Sequence, residues 1–388
     1  MRSKTSVYLD YAASTPLDKQ VLDVITTHLE RVFGNPSSVH RFGQEAEDAV
    51  ANARQVIADI LKCQPEEIIF TGCGSESDNL ALRGAALAAQ KQRNARHILI
   101  SPVEHHAVSH TAQQLAELHD FEIEYLLVDE YGMVQPAEVE ARLRDDTALV
   151  SVIYANNEIG TINPIGEIGV ICRARGIPLH SDAVQAGAYL GLDVQALQVD
   201  LLALGAHKFY GPKGVGVLYV RRGTPLISTL TGGGQESGLR AGTHNVPYIA
   251  GMAEALKIAQ AKRSELLAHV SPLRDQIIRH VLSAIPDSRL TGHPEKRLPN
   301  HASFAFEGVD GNALLMLLDT AGFACSSGSA CKTGSPEPSE VLTALGLSRE
   351  WALGSLRVTL GRYSNREEIE LFLDTLPGLV ERLRRLSA

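Results

Sequence analysis

Lys208 stands inside the glycine- and proline-bounded stretch Gly205-Ala206-His207-Lys208-Phe209-Tyr210-Gly211-Pro212-Lys213-Gly214. The apolar run Val199 to Leu204 before it is typical of a buried strand. Lys208 therefore falls at the carboxyl end of a strand, where open α/β sheets hold their ligands. A lysine that is partly desolvated there has a lowered pKa and can act as a nucleophile and base. An ordinary solvent-exposed loop lysine is the alternative, so partner residues elsewhere in the chain must decide.

The order of apolar runs predicts an α/β fold. Strand-like runs alternate with helical patterns, which is typical of a mostly parallel sheet covered by helices. The predicted strands are residues 68–70, 97–100, 122–126, 148–152, 177–180, 199–204 and 215–220. From about Val246 the pattern predicts one long helical stretch to Leu282, followed by shorter strands at 302–306 and 356–360. We expect a large domain over residues 17–258 and a smaller C-terminal α+β domain formed by residues 1–16 and 259–388.

Composition and charge limit the classes of function. Hydrophobic residues make up 44% and charged residues 21% of the 388 residues, as in an ordinary globular protein. A net charge of −9 without an extended Lys/Arg cluster argues against nucleic-acid binding. The N-terminal residues lack the apolar segment of a secretion signal, and no apolar run is long enough to span a bilayer. We therefore expect a cytoplasmic protein without membrane contact.

The cysteines lack the paired CxxC spacing of a zinc site, so reduced thiols and no certain metal site are expected. They are Cys63, Cys73, Cys172, Cys325 and Cys331. Cys63 and Cys172 lie in helix-like runs and are expected to be inert. Cys331 lies in the Ser/Gly/Pro-rich segment Ser326 to Pro338, whose composition predicts a mobile loop and a reactive thiol. Cys325 continues an apolar run, which favours a structural role.

A site for pyridoxal phosphate (PLP) needs a lysine for the aldehyde, an acid facing the pyridine nitrogen, a phosphate cradle and a group that stacks on the ring. Asp182 follows the predicted strand 177–181, so its carboxylate is expected at the same edge of the sheet as Lys208. An ionised carboxylate there keeps the ring nitrogen protonated. The alternative is that Asp182 caps a helix beginning at Ala183.

The segment Thr71 to Ser77 is the candidate phosphate cradle, because it joins the strand at 68–70 to a helical run from Asp78 to Ala89. Backbone N–H groups at that helix start and the Ser75 hydroxyl would face an anion. The segment matches neither common nucleotide-binding fingerprint, which weakens an NTP-binding interpretation. His105 and His106 follow the strand at 97–100, and either imidazole can stack on a cofactor ring; an exposed loop histidine is the alternative.

Together these segments resemble the cysteine desulfurases, PLP enzymes of fold type I in the class V aminotransferase group. The resemblance covers nearly the whole chain. It extends to Tyr8 to Pro16, Gly34 to His40, Asn156 to Gly160, Gly232 to Glu236 with Leu239 to Thr243, and Leu356 to Arg362. The form Ser-Ser-Gly-Ser-Ala-Cys that ends at Cys331 resembles the branch that supplies iron–sulfur cluster or nitrogenase assembly. The resemblance implies a PLP-dependent transferase fold of type I.

The resemblance also implies a role for individual residues around the cofactor ring. Lys208 would hold PLP through a Schiff base, Asp182 would face the pyridine nitrogen, and Gln185 would contact the ring hydroxyl. His105 would stack on the ring and is a further candidate for proton transfer. Asn157 would lie against a ring substituent and the substrate.

Phosphate and subunit contacts are implied in the same way. Gly74, Ser75 and His207 would bind the phosphate. Thr243 would reach the phosphate of the other subunit in a homodimer.

The substrate contacts complete the implied site. Arg357 would clamp the substrate carboxylate with its planar fork, assisted by Asn35. Cys331 would attack the sulfur of L-cysteine, leaving L-alanine and a persulfide. The persulfide would supply a sulfur acceptor or an iron–sulfur scaffold protein, and Cys331 would be the position of contact with a transient cluster.

The chain departs from the family's pattern at three places. Gly205 stands where a serine often bonds the phosphate, which predicts weaker cofactor binding. The turn Gly72-Cys73-Gly74-Ser75 replaces the more usual Gly-Ala-Thr form and adds a thiol near the cofactor. The sequence ends at Ala388 without the longer tail with which some relatives engage a scaffold, so the acceptor stays open.

Two alternatives remain at the level of sequence. A selenocysteine lyase, or another class V PLP lyase or aminotransferase, would share the cofactor site. A non-enzymatic sulfur carrier or assembly scaffold belongs to a different class and would lack the cofactor.

Overall fold

A computed structural model describes residues 6–327 and 337–387. Its strands are β1 Val7–Tyr8, β2 Ile68–Thr71, β3 His97–Ile100, β4 Glu122–Tyr125, β5 Thr147–Ser151, β6 Leu179–Asp182, β7 Leu201–Gly205, β8 Gly216–Val220, β9 Ser288–Leu290, β10 His301–Phe306, β11 Phe323–Ala324 and β12 Ser355–Thr359. Its helices are α1 Lys19–Arg31, α2 Arg41–Leu61, α3 Gly74–Arg93, α4 His106–His119, α5 Pro136–Arg142, α6 Ile165–Ala174, α7 Val194–Leu197, α8 Val246–Ala261, α9 Arg263–Ala284, α10 Gly311–Ala321, α11 Glu340–Ala344, α12 Arg349–Leu353 and α13 Arg366–Ser387. In the described part of the chain, no helix is long and apolar enough to cross a membrane.

The central sheet has seven strands in the order β2-β8-β7-β6-β5-β3-β4. The pairs from β7 through β6, β5 and β3 to β4 are parallel, whereas β8 pairs antiparallel with both β2 and β7. Each strand of this sheet was predicted from the sequence, with ends that differ by a few residues. The predicted α/β fold with a mostly parallel sheet is confirmed.

The strand β7 is buried on both faces, as expected for a central strand of a helix-covered sheet. Leu202 and Leu204 belong to the large core on one face, and Leu201 belongs to a second core on the other face. This alternation follows from the two-residue period of a strand. The chain leaves β7 at Gly205 and turns at once through a short 3₁₀ helix, Ala206–Lys208. The burial of β7 thus fixes where Lys208 begins.

The carboxyl ends of several strands meet at one edge of the central sheet. The strand β2 ends at Thr71 and leads into α3, β6 ends at Asp182, and β7 ends at Gly205. All of them run in the same direction, because β2 and β7 are each antiparallel to β8. The edge therefore brings the cradle together with the acid and the lysine, which lie more than a hundred residues later in the sequence.

Two local predictions are wrong, and the alternative of a helix after Asp182 does not hold. The helical stretch from 246 to 282 is two helices, because the backbone at Lys262 (φ −97°, ψ 11°) leaves helical geometry between α8 and α9. The helix α3 begins at Gly74, not Asp78, which brings Gly74 and Ser75 into its first turn. No helix follows Asp182; its Oδ1 accepts a hydrogen bond of 2.8 Å from the Val184 N–H in a turn.

The C-terminal part contains a separate antiparallel sheet in the order β12-β10-β9. A parallel pair of β1 and β11 lies beside it, so the N-terminal residues join this part of the chain. The bridge between Ser326 and Arg357 ties the residue after Cys325 to β12. The division into residues 17–258 and the remainder stays a prediction.

Leu204→Ala is predicted to destabilise the protein because Leu204 is fully buried in the core beneath the lysine loop. Large-to-small substitutions of this kind cost about 2–5 kcal/mol. The measurement is the urea midpoint of unfolding, with Leu127→Ala as the control, since Leu127 is 62% exposed. Equal midpoints for the two variants would contradict the placement of Leu204.

Candidate active site

A cavity of about 230 Å³ opens at the edge of the sheet where the strand ends meet. Most of the predicted site residues line it: Gly74, Ser75, His105, Asn157, Asp182, Gln185, His207, Lys208 and Arg357. Ala12, Ala13, Cys73, Asp78, Ile153 and Val184 complete the lining. Polar groups of both charges thus converge on one concave site, which is typical of a cofactor or substrate pocket.

Lys208 enters the cavity with its amine held by backbone carbonyl groups. Its Nζ donates to Ala12 O at 2.5 Å and to Ala13 O at 2.9 Å. Burial, and after it the charge of Arg357, lower the pKa of Lys208 to about 8, against an opposing effect of Asp182. Roughly a tenth of the amine is therefore neutral at pH 7. A neutral amine is the form that attacks an aldehyde.

Asp182 faces the cavity from the end of β6 and is buried. Burial raises the pKa of Asp182 to about 6, and the nearby Asp78 raises it as well, whereas His105 acts in the opposite direction. One polar atom from each of Asp78, His105 and Asp182 lies within 4.8 Å of the others. A bound cation or a protonated ring nitrogen would favour the ionised form of Asp182.

Asp78 is a site residue that the sequence analysis did not identify. Its Oδ1 is fully buried and makes no hydrogen bond within the described residues, although it lies 3.4 Å from His180 Nε2. Burial raises the pKa of Asp78 well above its usual range, which favours the neutral acid. The signal was available, because Asp78 lies four residues after Gly74 and therefore on the same face of α3.

The start of α3 supplies the predicted anion cradle. The first N–H groups of a helix have no partner within the helix, and here Gly74 and Ser75 present them toward the cavity. A Cβ on Gly74 would lie 2.6 Å from Val184 Cγ2, so glycine keeps this approach open. The exposed thiol of Cys73, at the N-cap of α3, also lines the cavity.

Gly205 lies beside this cradle with room for a side chain. Its backbone (φ −133°, ψ 121°) is extended, a conformation that any residue adopts. A Cβ there would lie 3.5 Å from the Gly74 N atom and 3.5 Å from Val184 Cγ1, which are ordinary contacts. Glycine at this position is therefore not required by the fold.

His105 lines the cavity, whereas His106 does not. The Nδ1 of His105 accepts a hydrogen bond of 3.1 Å from the Ala107 N–H, which caps α4. The neutral ring therefore carries its proton on Nε2. Burial lowers the pKa of His105, and the charge of Lys208 adds to this, which keeps the ring neutral. The His106 ring instead stacks on His110, with centroids 4.7 Å apart.

His207 lies next to the lysine and is also neutral at pH 7. Burial lowers the pKa of His207 to about 4, and the charges of Lys208 and Lys213 contribute. Its backbone carbonyl accepts hydrogen bonds of 2.9 Å from both the N–H and the hydroxyl of Thr15. These bonds attach the N-terminal segment to the lysine loop.

The N-terminal segment around Ala12 forms one wall of the cavity. Gln185 Nε2 donates to Ala12 O at 2.9 Å, so the same carbonyl holds both Gln185 and Lys208. The Ala12 N–H in turn donates to Thr359 Oγ1 at the end of β12. Sequence analysis missed this wall because a backbone carbonyl has no residue-specific signal.

Arg357 lies on β12, and its side chain lines the cavity. Its guanidinium donates to Asn157 O at 2.9 Å and to Asp10 Oδ1 at 2.9 Å. Its buried Nε has no hydrogen-bond partner among the described residues. A buried, partly unpaired guanidinium favours an added carboxylate.

The remaining predicted residues lie elsewhere. Asn35 and Thr243 are exposed and do not line this cavity. Cys331 lies outside the described residues. Burial raises the pKa of Cys325 above its ordinary value, and the Cys172 pKa rises to about 12 for the same reason, so neither thiol is reactive.

The fold and this site define a known class of protein. The aminotransferase class-V family model matches residues 7–372. The chain belongs to the aminotransferase class-V family.

Within that family the chain is similar to cysteine desulfurases. It is 46% identical to the cysteine desulfurase IscS of Dictyoglomus turgidum over 384 residues, which is 99% of this chain and 97% of that protein. A solved NifS-like protein is 36% identical, with a TM-score of 0.90 over 97% of this chain and 100% of that one. The solved structure of SspA in complex with cysteine is 35% identical, with a TM-score of 0.79 over 93% of this chain and 100% of that one. The predicted relation to the cysteine desulfurases is confirmed.

The reactivity of Lys208 is predicted to rise with pH around a midpoint near 8, because its pKa is lowered from 10.5 to about 8. Apo protein treated briefly with a small aldehyde and borohydride should show Lys208 modification with this midpoint by peptide mass spectrometry. Nα-acetyl-lysine, whose side-chain amine is free, is added to the same reaction as the reference. Asp182→Asn removes a charge that raises the Lys208 pKa and should move the midpoint down. A wild-type midpoint near 10.5 would contradict the desolvated placement.

Proposed function

We propose that this chain is a PLP-dependent cysteine desulfurase that takes the sulfur of L-cysteine onto Cys331 and releases L-alanine. The observation that supports it most is the meeting of Lys208, Asp182 and the start of α3 in one cavity that also contains Arg357. The similarity to cysteine desulfurases over nearly the whole chain points to the same activity. The relative solved with cysteine fits this substrate.

The residues of the cavity fit PLP. Lys208 offers an amine of lowered pKa for covalent attachment, and Asp182 offers a buried carboxylate for the ring nitrogen. The start of α3 and the neutral His207 offer N–H donors for a phosphate, in a cradle that a Cβ on Gly74 would fill. When bound, PLP supplies an electron-withdrawing ring that stabilises negative charge at the substrate Cα.

Lys208 is also the group that moves the substrate's Cα proton. When its amine is not attached to the cofactor, Lys208 would be free to act as a base on a substrate bound in the cavity. With a pKa of about 8 it is a sufficiently weak base to release the proton again. The carbonyl groups of Ala12 and Ala13 keep Nζ oriented during this exchange.

Asp182 and His105 set the electrostatic environment of the ring. Asp182 in its ionised form would hold a proton on the ring nitrogen of a bound cofactor, and burial raises the pKa of Asp78, which favours its neutral form. His105 lines the cavity, and at neutral pH its ring is uncharged with the proton on Nε2. It would stack on the ring of a bound cofactor and is a candidate to take the thiol proton of the substrate.

Arg357 orients the substrate. Its guanidinium is held by Asn157 O and Asp10 and lines the cavity, so it would bind the carboxylate of a substrate there. The segment that carries Cys331 begins after Ser326, a residue paired with β12. The Ser326 N–H donates to the Arg357 carbonyl, and the Ser326 carbonyl accepts a hydrogen bond from the Arg357 N–H. Cys331 is four residues beyond Ser327, a span of at most about 14 Å. The nucleophile is thus tethered close to the substrate clamp.

The sulfur step is a displacement at sulfur. The Cys331 thiolate attacks the substrate sulfur, and an S–S bond forms as the carbon–sulfur bond breaks. The carbon fragment keeps the electron pair of that bond, takes up a proton and leaves as L-alanine. Cys331 retains the sulfur as a persulfide, which a second thiol can accept.

The proposal includes a homodimer and a sulfur acceptor. Thr243 is exposed on its own chain, as expected for a residue that completes the phosphate site of a second copy. The acceptor is an iron–sulfur scaffold or another thiol protein, because a persulfide is useful only when it is passed on.

Cys331→Ala is predicted to keep the absorbance of bound PLP and lose sulfide release from L-cysteine, since only the sulfur acceptor is removed. Sulfide is measured with a reductant present, and the persulfide is sought on the Cys331 peptide by mass spectrometry. Cys325→Ala is the matched control and should retain activity, because its thiol is buried and of raised pKa. Sulfide release at the normal rate from Cys331→Ala would exclude this role.

Gly205→Ser is predicted to tighten PLP binding by roughly tenfold, because its hydroxyl adds one donor to the charged phosphate. The Cβ fits beside Gly74 at ordinary contact distance. Gly205→Ala fills the same space without the hydroxyl and should change the PLP dissociation constant little. An equal gain from both variants would show that packing, not the hydroxyl, is responsible.

A further inference from the structure

The segment 232–244 contains Thr243 and includes several residues with positive φ angles. Glu236 and Ser237 adopt positive φ angles of 49° and 56°, and Gly238 and Gly242 follow at 79° and 115°. Positive φ is costly for residues other than glycine, so surrounding contacts must hold Glu236 and Ser237 in place. These contacts are found on the segment's inner side.

The Glu236 carboxylate joins three parts of the chain. Arg54 of α2 donates to both of its oxygens, at 2.8 Å and 2.7 Å. The Phe70 N–H of β2 donates to Oε2 at 2.9 Å, and His244 Nε2 lies 2.6 Å from Oε1. The Glu236 side chain is only 1% exposed. A buried carboxylate with four polar contacts rigidly anchors His244, the residue next to Thr243.

A second carboxylate supports the same segment. Arg240 Nε donates to Glu76 Oε1 at 2.7 Å, and Glu76 Oε2 accepts the Gly72 N–H at 2.7 Å. The segment is therefore fastened to the start of α3 as well as to β2. Its inner side is held by its own subunit, while Thr243 remains exposed on the outer side.

A second cavity, of about 490 Å³, lies at this face of the molecule. It is lined by Pro36 and Ser37 from the loop that carries Asn35, and by Glu236 and His244 from the segment that carries Thr243. Asn35 and Thr243, the described site residues that do not line the main cavity, thus neighbour one common surface. A second copy of the chain at this surface would bring both toward another active site.

We propose that Glu236, with Arg54 and His244, is a positioning residue that fixes Thr243 for the phosphate site of the partner subunit and not of its own. The inference rests on the proposed homodimer. Glu236 is ionised at every working pH: burial raises its pKa, but the hydrogen bonds from His244 and Arg54 outweigh this and lower the pKa to about 2. The anchor is therefore permanent.

Mixed dimers carrying two different affinity tags test the direction of the effect. Lys208→Ala on one chain leaves a single site for covalent PLP attachment, on the other chain. In the first dimer, Glu236→Gln is placed on the chain that keeps Lys208. In the second, it is placed on the Lys208→Ala chain. The dissociation constant of PLP is measured from the absorbance of the attached cofactor, against a dimer with Lys208→Ala alone.

The second dimer should bind PLP roughly tenfold more weakly, because the intact site then receives Thr243 from a loosened segment. The first dimer should bind as the reference does. Weakening only in the first dimer, equal weakening in both, or no change in either would overturn the proposal.

Two further variants separate positioning from folding. His244→Ala removes one contact and leaves the Arg54–Glu236 pair, so it should reproduce the weakening in the same arrangement. Glu254→Gln, in a partly exposed ion pair with Lys257 on α8, is the matched control and should have no effect in either arrangement. A chain that sediments as a monomer would refute the proposed homodimer itself, and unchanged cofactor attachment by Lys208→Ala would refute the proposed function.

Discussion

The burial of β7 on both faces is the constraint on which the site depends. Because Leu201, Leu202 and Leu204 lock this strand between two cores, the chain must leave the sheet at Gly205. Lys208 then enters a cavity where water is scarce and its charge is costly. The chemistry of the site follows from this displacement of a lysine from solvent.

The other charged groups of the cavity are buried as well, so their charges strongly affect one another. The charge of Arg357 lowers the pKa of Lys208, and Asp78 raises the pKa of Asp182. Burial therefore lowers the pKa of Lys208 and of His105 and raises the pKa of Asp78. A ligand that carries a phosphate, a ring cation and a carboxylate supplies the missing counter-charges at three separate places. The charges of such a ligand would therefore be complementary to the charged groups that line the cavity.

Much of the fold and site could be predicted from sequence, for identifiable reasons. The seven strands have strong apolar runs; Asp182 ends one of them, and Lys208 stands three residues after the end of another. The break at Lys262 and the early start of α3 were missed because helical patterns do not mark their ends sharply without a capping side chain. Asp78 was missed because a buried acid on a helix looks like a surface acid until its neighbours are known. The carbonyl groups of Ala12 and Ala13 have no sequence signal at all.

The sequence by itself determined the class of protein, the positions of its strands along the chain and most of the residues that line the cavity. These depend on local periodicity and on short motifs, which the chain carries without reference to its packing. Only the tertiary structure decided that His105 and not His106 lines the cavity, that Arg357 is already tied to Asp10 and Asn157, and that Glu236 anchors the segment of Thr243. Such contacts join residues far apart in sequence. Their geometry arises only when the sheet and its helices pack together.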